Sequence, residues 1–319
     1  MLPFFKLISA DLEAVEIELG RVLIGEDDLL NQTATHLLRA GGKRLRPAFA
    51  LLSAKVYTDD VSGVWPLAAA LELIHMATLV HDDVVDEADA RRGKPTVRAL
   101  WGNEVSTHTG DYVLAKALIQ VSGYDRPLIS RVLSGTCVKM CEGEIIQMHG
   151  IYQANLRNYL HRIQCKTACL IESSCKLGAV AAGAPDAIHH PLGRFGHYLG
   201  IAFQVTDDIL DMVADESRLG KRVGGDLRQG IVTIPVIYAL NRGGSAAERL
   251  REIVENRSKT ETEVEEAIEL TRELGGIDYG RHIAGAYLEK SIQQLKRLPD
   301  VPARESLRQI AEFIQVRAY

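Results

Sequence analysis

The chain has 319 residues, 46% of them hydrophobic and 25% charged, enough apolar material for one large domain or two ordinary ones. This composition excludes disordered, collagen-like and disulfide-scaffold proteins. The net charge of −5 argues against nucleic acid as a partner, so any anionic ligand must be held by local cations or by metal.

The first six residues are apolar but too short for the hydrophobic region of a signal sequence. No run reaches the roughly 18 apolar residues of a spanning helix. The expectation is a cytoplasmic protein with no transmembrane segment. Apolar residues at mixed three- and four-residue spacing predict helices within 66–80, 109–121, 128–147, 156–177 and 195–211. Helix-breaking clusters fall at 41–42, 58–60, 92–95, 123–127, 183–185, 220–230 and 243–245. Alternating strand patterns with Asn-Gly or Asp-Gly turns are absent. No Pro/Ser-rich linker divides the chain. The predicted fold is all-α, a single large helical bundle over residues 1–319. Stretches 68–80 and 201–213 are apolar nearly all round, which places them at the bundle centre. The charge-dense stretch 259–269 reads as a solvated helix face.

Two acidic clusters interrupt the central helices. Asp82, Asp83 and Asp86 form one DDxxD, and Asp207, Asp208 and Asp211 form another. Residues four apart share a helix face, so Asp82 projects with Asp86 and Asp207 with Asp211. Clustered carboxylates in apolar helices repel and are costly to bury. A shared cation resolves this, and oxygen ligands that leave room for water and phosphate suit Mg2+. Cations are grouped nearby in sequence: Lys43, Arg44 and Arg46 after a glycine pair, then Arg91, Arg92 and Lys94, then Lys166 and Lys221. Arginine and lysine are the usual phosphate partners. No nucleotide-type phosphate loop exists, so the expected ligand is a polyphosphate of another kind. Cys137/Cys141 and Cys165/Cys169 are spaced to share helix faces. They read as small buried hydrophobes, with a metal site as the alternative.

These motifs, in order along nearly the whole chain, resemble the trans-isoprenyl diphosphate synthase family. The segments that carry the resemblance are 41–47 (GGKRLRP), Glu72 to His75, 81–86 with Arg91 and Arg92, Glu142 to Gln147, Lys166-Thr167, Phe203-Gln204, 207–211, Lys221 and 225–227. Within the family, the texture of the first motif and of 225–230 is most similar to the catalytic component of bacterial heptaprenyl synthases. One departure is plain: where the family often has Gly-Lys-x-Thr, this chain has Gly230-Ile231-Val232-Thr233.

The resemblance implies a reaction. An allylic diphosphate ionises, isopentenyl diphosphate attacks the cation head-to-tail, and a proton is lost to the departing diphosphate. It implies Mg2+ on Asp82, Asp86 and Asp207, supported by Asp83, Asp208 and Asp211. Arg91, Lys166, Thr167, Gln204 and Lys221 would hold the allylic diphosphate. Lys43, Arg46, His75 and Arg92 would hold isopentenyl diphosphate, and Phe203 would face the passing cation. The residues before the first motif, Thr78, Ala77, Ile74 and Leu71, would line the growing tail. Small residues at Ala77 and Thr78 imply a product longer than geranylgeranyl, with heptaprenyl the best match. The implied assembly is a homodimer, or a heterodimer with a small non-catalytic component. A shorter-chain synthase and a non-catalytic partner subunit are the alternatives. A terpene cyclase would not need the second intact DDxxD, and a phosphohydrolase would need a water-activating base.

Overall fold

The computed structural model describes residues 3–148, 155–213, 223–256 and 258–317. It is 80% helical. In chain order the helices are α1 (Ser9–Leu23), α2 (Asp28–Arg39), α3 (Leu45–Lys55), α4 (Trp65–Val85), α5 (Val97–Ser122), α6 (Pro127–Met148), α7 (Leu156–Ile163) and α8 (Cys169–Ala181). They continue with α9 (Asp186–Val213), α10 (Gly225–Arg228), α11 (Ile234–Leu240), α12 (Ser245–Glu255), α13 (Glu261–Glu273), α14 (Gly276–Leu295) and α15 (Pro302–Arg317). Every stretch with a predicted helical pattern is helical. The chain divides into two compact units. Unit 1 is Met1–Cys137, Ser173–Gly193 and Arg297–Leu307, and unit 2 is Val138–Glu172, Arg194–Lys296 and Arg308–Tyr319.

Unit 1 is organised around α4, which packs against α1, α3 and α5. Pro66 sits in the first turn of α4, where its missing N–H costs nothing. From Leu67 to Ile74 every residue is buried, so the helix has no wet face over two turns. Each large aliphatic side chain there contributes about 1.5–3 kcal/mol. Residues Ser62–Val85 are long and apolar enough for a membrane span by length and composition, with mean hydropathy 1.5, but 67% of that window is buried inside the protein. α4 is a core helix.

The predicted break at 92–95 is a small antiparallel hairpin, β1 (Ala90–Arg91) with β2 (Lys94–Pro95), in register Ala90–Pro95 and Arg91–Lys94. Its two turn residues, Arg92 and Gly93, have φ of 54° and 73°. This is the left-handed pair that tight hairpins require, here without the Asn-Gly signal.

Unit 2 has its own core, including Tyr159, Ile163, Val205, Ile209, Leu227, Ile234 and Ile268. α13 begins with a capping box, Thr260 with Glu263, and buries Val264, Ala267, Ile268 and Thr271. Its other face is charged and exposed, as its sequence predicted.

Between α7 and α8 the helix widens into a π turn, Gln164–Ala168. Two glycines make room for it. A Cβ on Gly143 of α6 would lie 2.8 Å from the Lys166 backbone nitrogen, and one on Gly200 of α9 would lie 2.6 Å from the Ala168 Cα. Of the cysteines, Cys165, Cys169 and Cys175 are buried, Cys137 is intermediate and Cys141 is exposed, so the buried-hydrophobe reading fails at Cys141. Among the described residues the one grouping with metal-ligand spacing is Asp186, His189 and His190, so the cysteine pairs form no metal cluster there.

Gly200→Val is expected to force α9 away from the π turn and destabilise the protein by about 1–3 kcal/mol. Thermal unfolding measures it, and an unchanged melting temperature would show that the turn yields freely.

Candidate active site

The first acidic motif closes α4. Asp82 is half-buried and Asp86 is exposed, while Asp83 is only 3% exposed. A buried carboxylate needs a partner, and Asp83 has one: Arg91 Nε donates to its Oδ1 at 2.7 Å. The hairpin delivers that arginine. Asp83 and Arg91 are thus tied to each other, whereas the sequence reading assigned one to metal support and the other to diphosphate. Carboxylates at a helix C-terminus are also opposed by the helix dipole, a second reason for cations here.

A cationic corner adjoins the motif within unit 1. Arg44 takes a left-handed φ of 50° ahead of α3. It pairs with Glu16 of α1, and its Nη1 donates to Glu72 Oε1 at 3.1 Å. Arg92, also left-handed, donates Nη1 to the Gly41 carbonyl. A Cβ on Gly42 would lie 2.8 Å from Arg92 Nη1 and 3.1 Å from Arg44 Nη1, so glycine lets both guanidinium groups take these positions without shifting. His75 is held well below the usual histidine range, first by burial and then by Arg46, Arg92, Arg91 and Arg44, so it is neutral near pH 7. His75, Arg46 and Arg92 therefore form one electrostatic group, and Lys43 is exposed on the same loop. The sequence reading missed Arg44 and Glu72 as the buried bridge that sets this loop. Glu72 as the lone acid within the apolar run 67–80 was the available signal.

The second acidic motif lies on α9 in unit 2 and repeats the pattern. Asp207 is half-buried and Asp208 is 4% exposed. Asp208 Oδ2 accepts from the Tyr159 hydroxyl at 2.7 Å, and Oδ1 accepts from Gln204 Nε2 at 2.8 Å. Gln204 Oε1 in turn accepts from the Thr167 hydroxyl at 2.8 Å. Burial raises the Asp208 carboxyl above the usual range against the pull of these donors, and burial and Asp208 push the Tyr159 hydroxyl well up. Asp211 accepts from the backbone N–H groups of Gly225 and Asp226, each at 3.1 Å, and so caps α10. Asp208 and Asp211, expected to support metal, are engaged by the protein itself. Lys166 on the π turn pairs with Glu144, 2.8 Å away. Lys221 lies outside the described residues.

Two further residues were missed. Asp226 is raised by burial and by Asp208 and Asp211, which makes it a fourth carboxyl of this cluster. Arg162 donates Nη2 to the Val232 carbonyl at 3.0 Å and lies over the Tyr159 ring. The DDxxD pattern gives no access to either.

Comparison with known proteins gives the family. The polyprenyl synthetase family matches residues 27–271. The chain belongs to that family. It is a prenyltransferase. It is 44% identical over 317 residues to a Bacillus subtilis (strain 168) protein described as heptaprenyl diphosphate synthase component 2, covering 99% of this chain and 90% of that one. It is 45% identical over 320 residues to the Geobacillus stearothermophilus protein of the same description, covering 99% and 98%. A polyprenyl synthase structure from Caulobacter crescentus CB15, complexed with calcium and isoprenyl diphosphate, superposes with a TM-score of 0.93 at 34% identity, covering 99% and 97%.

The carboxylate-only donor set of this polyprenyl synthetase suits a hard divalent cation; Asp83 and Asp208 are buried, while Asp82, Asp86 and Asp207 are more open to solvent. The tail-lining positions need correction. Helical residues advance about 100° each, so Thr78 and Leu71 lie on the Asp82 side of α4, while Ala77 lies about 140° round. Ala77 is 2% exposed and packed in the core, and Thr78 is half-buried. Thr78 is therefore the better candidate to meet a tail.

Asp83→Ala should lower stability by about 1–3 kcal/mol, because Arg91 loses its acceptor. Asp86→Ala, at an exposed position, should stay within about 0.5 kcal/mol of the parent. Chemical denaturation of the two variants checks the difference; equal effects would show that Asp83 is not an anchor.

Proposed function

We propose that the chain is the catalytic component of a heptaprenyl diphosphate synthase, extending an allylic diphosphate, with farnesyl diphosphate as primer, by head-to-tail addition of isopentenyl diphosphate. It works as a homodimer or with a small non-catalytic component, in the cytoplasm. One observation carries the reading. Both acidic motifs are whole, and each turns its second aspartate inward onto a protein partner; Asp82, Asp86 and Asp207, all more open to solvent, are assigned as the cation ligands. A non-catalytic subunit would have no use for that arrangement.

Asp82, Asp86 and Asp207 would hold Mg2+, which would supply positive charge to offset the negative charge developing on the departing diphosphate. Lys166, Thr167 and Lys221 grip that diphosphate, joined by Arg91, while Gln204 fixes Thr167 and Asp208 together. Lys43, Arg46 and Arg92 hold isopentenyl diphosphate by charge, in a corner whose acids, Glu16 and Glu72, are paired with Arg44, so it is bound but not ionised. Neutral His75 offers a hydrogen bond there without adding charge. Phe203 presents its ring to the allylic cation. Asp83 and Asp211 act as anchors, for Arg91 and for α10. The alternative of a shorter-chain synthase is favoured by one feature, the complete burial of Leu71 on the Asp82 side of α4.

Labelled isopentenyl diphosphate and farnesyl diphosphate, supplied with Mg2+ and with or without a candidate second component, are expected to give a heptaprenyl product. Chelation of the metal should abolish turnover. Asp82→Ala and Asp207→Ala should each lower turnover at least about a hundredfold while the helical circular dichroism persists. Near-parental turnover in both at saturating Mg2+ would overturn the metal assignment.

Thr78→Phe is expected to shorten the main product, read by chromatography after dephosphorylation. Ala77→Phe is expected instead to destabilise the core by about 1–3 kcal/mol. An unchanged product from Thr78→Phe would mean that the tail follows another face.

A further inference from the structure

Unit 2 holds a cation that none of the roles above uses. Arg162 lies on α7, one helical turn before Lys166. Two contacts fix it. Its Nη2 donates to the Val232 carbonyl at 3.0 Å, and its guanidinium sits 5.4 Å from the centroid of the Tyr159 ring. Tyr159 is itself pinned to Asp208. Among the described residues Arg162 makes no ion pair and no other hydrogen bond, which leaves most of its N–H donors without a protein acceptor. Lys166, by contrast, is occupied by Glu144.

The surroundings call for such a cation. The Arg162 charge bears on both Asp208 and Asp226 and opposes the rise of each. The Val232 carbonyl that holds it belongs to the turn after Gly230, and the N–H of Ile231 in that turn donates to the Asp226 carbonyl at 2.8 Å. One short segment thus joins Arg162 to the carboxylate cluster, and its half-buried residue Ile231 carries no charge. A planar fork held by one bond and one ring face is pre-organised to donate two N–H bonds to two oxygens of a phosphate.

We propose that Arg162 is a diphosphate-binding residue of the second acidic motif and supplies the positive charge that Ile231 does not. This rests on the prenyltransferase reading of the site. Arg162 contributes from α7 what a lysine at position 231 would contribute from the turn, so the two positions are interchangeable sources of one charge.

The test is titration calorimetry of inorganic diphosphate into the full-length protein with saturating Mg2+, which needs neither turnover nor a second component. Arg162→Gln should weaken binding about tenfold or more. Arg162→Lys should retain most of the affinity. The double variant Arg162→Gln with Ile231→Lys should return to within about threefold of the parent, and the KM for farnesyl diphosphate should follow the same order. Unchanged affinity in Arg162→Gln overturns the inference. So does a loss that Ile231→Lys fails to restore while the melting temperature also falls, because Arg162 then only holds the turn. Failure of the parent protein itself to bind diphosphate would overturn the second acidic motif as a diphosphate site, and this inference with it.

Discussion

The constraint behind this structure is the repulsion between neighbouring carboxylates in apolar helices. Two such charges about 4 Å apart repel by about 4 kcal/mol at an effective dielectric of 20. The chain meets the problem in the same way twice. In each DDxxD the second aspartate is turned inward and given a dedicated partner, Arg91 for Asp83, and Tyr159 with Gln204 for Asp208. Much else serves that solution. The hairpin exists to present Arg91, α7 presents Tyr159, and α10 is capped by Asp211.

The cationic corner solves the opposite problem, holding like positive charges together. Glu16 and Glu72 bind Arg44 from two helices, and Gly42 supplies the space between Arg44 and Arg92. The backbone bears some of the cost. The non-glycine residues with left-handed φ among those described are Arg44, Glu87 and Arg92, all next to this corner or to the first motif. Each such conformation costs of order 1–3 kcal/mol and persists only where its surroundings impose it.

How much of this was legible follows from what each feature depends on. The helices were legible because apolar period is local, and the acidic motifs because acids stand out in an apolar run. The division of labour among the aspartates was not, since Asp83 is defined by a partner eight residues away and Asp208 by one forty-nine away. The hairpin was hidden because its turn is Arg92-Gly93, with strand pairs too short to alternate. Arg162 belonged to no motif, Asp226 stood in the 225–227 segment without an assigned role, and what each does comes from tertiary approach. Ala77 was misplaced by counting, since five residues along a helix is not a whole number of turns.

The π turn at Gln164–Ala168 has a consequence for how this region can vary. A π turn holds one residue more than an α turn, so the side chains after it are out of phase with those before it. Removing any one residue there would repair the hydrogen-bond ladder and give a more regular helix. It would also rotate everything downstream by about 100° relative to Tyr159 and Arg162, and part Thr167 from Gln204. The segment therefore tolerates exchange of residue type more readily than change of length. Its irregularity works as a phase marker, a local disadvantage in helix energy retained because two halves of one helix must face different partners.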